Sequence, residues 1–284
     1  VRVPIVALSG LALLALTAGM AAPVRAAGLV PTDQSRGVHV AIDVTTSVWT
    51  SGIPPWDPPD ETDVESFSDA ATAPDFAPFS ATAAVSGFPD TSAAQESSIT
   101  GHSIAASGSI AGIADIESTF PPEVWTWPFS QVRQDIDLGS SLSVDFSLEE
   151  PSDYTLSGQV DISYFLTDTR ASIRLIGPGP SVIAEVAVES DPDCIEPACF
   201  EATEPIEVSG SLAPGTYTLE AMATGEGYGF YSTAAGDVDT IVGGDYAFTF
   251  SLARPVPALS VAARALLALL LALFAAGRLA SDSR

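Results

Sequence analysis

Three observations make an all-β fold the prediction for this chain. From residue 140 to 253 apolar side chains recur at every second position. Side chains on a strand alternate between faces, so this period fits half-buried antiparallel sheet and excludes a helix. Proline and glycine punctuate the runs where tight reversals need them, in "GPGP" at 177–180 and "APG" at 213–215. Between the two terminal segments, no stretch sustains a helical pattern.

The elements follow in chain order. Residues 1–26 read as a secretory signal: Arg2 is the positive start, Ile5–Met20 the apolar core, and "APVRAA" supplies small residues for a cleavage site ending at Ala26. An uncleaved N-terminal anchor is the alternative, for which the core is short against a span of about 20 residues. In the body, residues 27–253, "GVHVAIDVTTSVW" reads as a strand. The following "SGIPPWDPPDETDVESFSDAATAPD" (51–75) reads as a long exposed loop because of its prolines and acids. "APFSATAAV", "SAAQESSIT" and "SIAASGSIAGIADI" read as three more strands. They are rich in alanine and serine, so each buries little area and needs larger neighbours. "FPPEVWTWPF" (120–129) is a proline-punctuated connector.

The second half is heavier. Leu142, Val144, Phe146 and Leu148 alternate with serine and aspartate, and Tyr154, Leu156, Val160, Ile162 and Tyr164 with threonine, serine and aspartate. Val182–Val188, Ile206–Leu212, Tyr217–Ala223 and Tyr246–Leu252 keep the same period, giving six or seven strands between 140 and 253. The predicted architecture is one jelly-roll-like antiparallel β-sandwich whose light first half pairs with the second. A signal helix precedes it and a hydrophobic helix follows it, at 254–284. Two consecutive domains split near residue 135 are the alternative.

Charge narrows the partners. There is no lysine, and five of the ten arginines (Arg2, Arg25, Arg264, Arg278 and Arg284) lie in the signal and in the tail beyond Arg254. Residues 27–254, with Arg36, Arg133, Arg170, Arg174 and Arg254, therefore set five arginines against 35 carboxylates, a balance near −30. Nucleic acid and anionic lipid are excluded as charge-driven partners, because phosphate contact needs cations. Cations, calcium included, are attracted. Cys194 and Cys199, five residues apart, form the pair an exported chain would oxidise to a local disulfide. A zinc site lacks ligands, the only histidines being His39 and His102.

At the C-terminus Val256-Pro257-Ala258-Leu259-Ser260, an apolar run from Ala265 to Gly277, and Arg278 follow one another. This order resembles the three-part sorting signals of Gram-negative bacteria, the PEP-CTERM group and its IPTL/VPTL-type relative. The resemblance covers about 30 residues. It implies recognition by an exosortase- or archaeosortase-like membrane protease and placement at the cell surface, commonly among exopolysaccharide. The 13-residue run makes roughly 20 Å of helix against a hydrocarbon core of about 30 Å. That length suits a processed segment better than a permanent anchor, which is the alternative. The positive charges fall on the cytoplasmic side in both cases.

No nucleophile elbow, P-loop, dinucleotide fingerprint or HExxH occurs. Carboxylates are too abundant for any pair to single out a glycosidase, so the expectation is a non-enzyme, with a secreted hydrolase as the remote alternative. Calcium is the one candidate cofactor, through Asp237, Asp239 and Asp245 in "GDVDTIVGGD"; a solvated acidic face is the simpler account. Trp49, Trp56, Trp125 and Trp127 are the candidates for stacking on sugar rings, against the commoner role of filling a core. The expectation is an exported, non-catalytic protein of the surface or polymer matrix, with a calcium-assisted glycan-binding module as the second reading.

Overall fold

The structure, a computed structural model, describes residues 28–50, 58–88, 90–114, 129–165, 167–190, 201–232, 236–238 and 240–253. Among them thirteen strands follow one another: β1 (Leu29–Trp49), β2 (Glu61–Thr72), β3 (Phe79–Ala84), β4 (Ser92–Ile99), β5 (Ser103–Ala114), β6 (Phe129–Leu148), β7 (Ser152–Phe165), β8 (Thr167–Ile176), β9 (Val182–Glu189), β10 (Glu201–Leu212), β11 (Gly215–Ser232), β12 (Gly236–Val238) and β13 (Thr240–Leu252). Sheet A has the order β2-β1-β6-β11-β8-β9, with β12 added on β11, and sheet B the order β10-β7-β13-β5-β4-β3. Every pairing is antiparallel.

The alternation read from the sequence is the alternation of the structure. Leu142, Val144, Phe146 and Leu148 turn inward from sheet A, as do Leu219, Ala221 and Ala223; Leu156, Val160, Tyr246 and Phe250 turn inward from sheet B. An aromatic cluster bridges the sheets, with Phe146 5.6 Å from Tyr217 and 5.3 Å from Phe250, and Phe250 5.9 Å from Tyr154. Light and heavy halves are paired as expected, β1 on β6 and β5 on β13. Residues 28–253 make one compact unit. β6 runs through residue 135 with β1 on one edge and β11 on the other, so no domain boundary falls there.

Three features were not read from the sequence. First, β1 and β13 lie in different sheets, and most connections from β2 onward cross between the two sheets. Second, part of the expected loop 51–75 is a strand. β2 pairs with β1 residue by residue from Gly37–Thr72 to Val48–Glu61. It escapes periodicity because it is an edge strand exposed on nearly all its length, so neither face had to be apolar. Third, β8 carries no clean apolar alternation, since Thr167, Thr169 and Ser172 occupy buried positions.

Two buried polar groups tie the layers. Tyr246 receives a hydrogen bond from Gln95 Nε2 (2.7 Å), and the same amide donates to the Ser141 carbonyl of the opposite sheet (2.7 Å). Burial pushes the Tyr246 phenol above its usual pKa. Arg36, 2% exposed, donates to Gln34 Oε1 (2.7 Å), Ser97 Oγ (3.0 Å) and the carbonyls of Asp75 and Ala77. It fastens the β2–β3 connection and β4 to β1.

The long strands give the sandwich two ends. Chain entry and exit share one of them: Leu29 N–H donates to the Gly101 carbonyl (2.7 Å), Leu252 N–H to His102 (2.9 Å) and Ala253 N–H to Asp153 (2.8 Å). The short turns also lie here, including "GPGP", where Gly179 takes φ 77°, and "LAPGTY", which Tyr217 pins by donating to the Ala213 carbonyl (2.6 Å). At the opposite end β1 finishes beside the start of β6, β5 finishes beside the start of β13, and β10 begins beside β7.

Candidate functional site

Most of the residues singled out by sequence lie outside the described ones. Trp56, Trp125, Trp127, Cys194, Cys199 and Asp239 lie outside the described residues, as do Val256, Pro257, Leu259, Ser260 and Arg278 of the sorting motif. Trp49, on β1, is 5% exposed and offers no open ring face. Asp237 is in β12 on sheet A, whereas Asp245 is in the middle of β13 on sheet B. Among the described residues, no three acidic, histidine or cysteine side chains are close enough to hold a metal ion.

Asp245 meets a different neighbour. On the outer face of sheet B it stands opposite Asp161 of β7 on one side and Ser109 of β5 on the other. Burial first, and then the Asp161 charge, raise the Asp245 carboxyl above its ordinary pKa. Gln159 Nε2 donates to Asp161 Oδ2 (2.9 Å). Asp90, Glu201 and several serines line the same shallow recess of 720 Å³.

The outer face of sheet A is more varied. A 520 Å³ groove crosses β1, β6, β11 and β8. In its floor Asp137 of β6, Glu226 of β11 and Asp168 of β8 stand side by side in one row, and Asp43 faces Asp135 in the next. Like charges directly opposite destabilise a sheet, so this row is held by the packing beneath it. Arg133 is the counterion: its guanidinium forks onto Asp135, with Nε 2.8 Å from both oxygens. It also lies 4.7 Å over the Tyr228 ring. The Asp135 carboxylate holds the Arg133 pKa above its usual value. Tyr228 is 46% exposed. His39 Nε2 reaches Asp137 Oδ1 at 3.3 Å on the flank.

Sequence reasoning missed Tyr228, though a signal existed. Ala221 and Ala223 lie on the buried side of β11, and the same two-residue phase carried through Gly225 and Gly227 puts Glu226 and Tyr228 on the outer face. An aromatic in the polar phase of a strand is the mark of an exposed ring. Chemically the groove offers one aromatic surface, a fixed guanidinium and several carboxylates able to accept hydroxyl or amine hydrogens.

No protein-family model matches the sequence, and no curated protein matches it. Among solved structures, the chain is similar to the enzymatically active domain of bacteriophage CBA120 tailspike protein 4, at 9% identity and a TM-score of 0.20, over 58% of this chain and 19% of that one. It is similar to the VP2 subviral particle of infectious bursal disease virus at 9% identity and a TM-score of 0.18, over 82% of this chain and 68% of that one. For the Gt strain of the same virus the values are 9%, 0.20, 83% and 67%. The chain thus spans about a fifth of the tailspike domain's length. Overlaps this loose say nothing of activity.

Proposed function

We propose that the chain is an exported, non-catalytic structural protein held at the cell surface or in an extracellular polymer layer, with residues 254–284 as its sorting and attachment segment. The observation that carries this reading is the shared end of the sandwich from which Leu29 and Ala253 emerge, both fixed there by backbone hydrogen bonds. Val256-Pro257-x-Leu259-Ser260 is the motif an exosortase-like protease would read. The abundance of carboxylates keeps such a coat hydrated and attracts cations, calcium among them.

Expression of the full chain and of a chain ending at Ala253, followed by fractionation of cells and medium, tests the assignment. Surface retention of the first and release of the second is the expected result. Equal distribution of both overturns it.

A second reading, recognition of a polysaccharide, is favoured by the exposed Tyr228 ring beside Arg133 and the carboxylate row. An aromatic face suits the apolar side of a pyranose, and carboxylates suit its hydroxyls. Co-sedimentation with the source cell's own exopolysaccharide, with calcium and with chelator, checks it. Binding should be lost in Tyr228→Ala while Trp49→Phe retains it.

A further inference from the structure

We propose that β9 is the edge through which two copies of this chain join, pairing β9 with β9 across a two-fold axis to make one continuous sheet. Among the described residues the two sheet orders end on four strands, β2 and β9 in sheet A and β10 and β3 in sheet B, and the three-residue β12 adds a short edge on β11. A strand edge presents unpaired N–H and C=O groups and is a template for another strand unless something deters it. β2 is deterred by Glu61, Asp63, Glu65 and Asp69 along an almost wholly exposed strand. β10 carries Glu201, Glu204 and Glu207 and is interrupted by Pro205, which has no N–H to donate. β3 is only six residues long.

Among the described residues β9 has none of these protections. Its eight residues, "VIAEVAVE", contain no proline, and Val182 and Ile183 are exposed at 45% and 37%. Both of its glutamates are neutralised by the arginines directly opposite them on β8, Glu189 by Arg170 (3.0 Å) and Glu185 by Arg174 (3.0 Å). The parity of its backbone is set by Ser190, whose N–H donates to the Thr169 carbonyl (2.8 Å). In an antiparallel ladder bonded pairs alternate with non-bonded ones. Val188, Val186 and Ala184 thus spend their N–H and C=O groups on β8, and Glu189, Ala187 and Glu185 turn theirs outward.

Charge selects the occupant. The chain carries a formal −26, so two copies repel one another almost anywhere they touch. β9 is the edge strand whose own charges are already balanced, and it is apolar on the remaining positions. A second copy of the same strand matches it in length, neutrality and hydrogen-bonding parity, and an isologous contact closes at two copies. The inference does not depend on where the tail places the protein, so loss of surface retention and loss of association are separate observations.

The test is sedimentation equilibrium of the full chain in a non-ionic detergent that covers the Ala265–Gly277 run, between about 0.01 and about 0.15 M salt, where the Debye length falls from about 30 to about 8 Å. Wild type should dimerise, and more tightly as salt screens the bodies. Ala187→Pro removes an outward donor that the folded monomer does not use, and Ile183→Lys restores an edge charge. Each should weaken dimerisation by about tenfold or more with unchanged far-ultraviolet circular dichroism. A wild type that stays monomeric throughout, or association that Ile183→Lys leaves as tight as in wild type, overturns the proposal.

Discussion

Arg36 and Arg133 show how differently two arginines of one sheet act. Arg36 is buried and answers Gln34, Ser97 and the carbonyls of Asp75 and Ala77. Burial lowers its pKa below the usual value, with the Asp75 charge opposing, yet a guanidinium stays charged. Arg36→Ala leaves those acceptors dry and unanswered, and should cost about 3 kcal/mol, read as a lower urea midpoint at constant slope. Arg133 and Asp135 are 50% and 39% exposed, so Arg133→Ala should cost less than about 1 kcal/mol. Asp245 has the opposite sign of effect. Its pKa is raised in the folded chain, so the folded state holds the proton more tightly than the unfolded one. Stability is then greatest below the ordinary carboxylate range and declines as pH rises through the raised value. Asp245→Asn should remove that decline, stabilising by a few tenths of a kcal/mol at about pH 7 and not at about pH 3. Thermal midpoints of both chains across that range decide it.

At the scale of the strand, close approach of backbones is where small changes matter. Gly158 of β7 lies against β13, and a Cβ there would stand 2.3 Å from the Ala247 carbonyl oxygen and 2.8 Å from the Phe248 Cα. The obstacle is main chain, so Gly158→Ala must move a central strand. It should cost about 2 kcal/mol, measured by the same urea titration. The strands with two well-separated faces, such as β7, β11 and β13, were legible because a buried face must be apolar and an exposed one need not be. β2 was not, having no buried face, and β8 was not, because hydroxyls fill part of its buried one. Topology is a further step removed: a period of two says that Leu142 is inward, not that β6 lies between β1 and β11. Of the candidate site, Tyr228 was readable from strand phase. The partners of Arg36 were not, since residues 75, 77 and 97 reach it only through the folding of β2, β3 and β4 around β1.

Over the whole molecule the ruling term is charge. All four arginines of the described body belong to sheet A, on β1, β6 and β8, and sheet B has no arginine at all. The sandwich is accordingly two-sided, one outer face laced with ion pairs and the other a field of hydroxyls and carboxylates. Self-repulsion of this kind opposes the compact state and is screened by salt. Raising salt from about 0.01 to about 0.15 M should therefore raise the thermal midpoint, by about 2–4 °C for each kcal/mol of repulsion relieved. A midpoint that ignores salt would mean that the carboxylates are already compensated in solution.

The joint emergence of Leu29 and Ala253 also sets how the sandwich bears mechanical load. A tether drawn from Ala253 pulls along β13, which is bonded to β7 from Ile241 to Leu252 and to β5 from Thr240 to Ser251. Force along a strand gripped on both sides strains all of its ladder bonds together in shear, whereas a pull across an edge strand breaks them one by one. Ala253 thus closes a strand gripped on both sides, so tension drawn from it should be passed on through the body before the body yields.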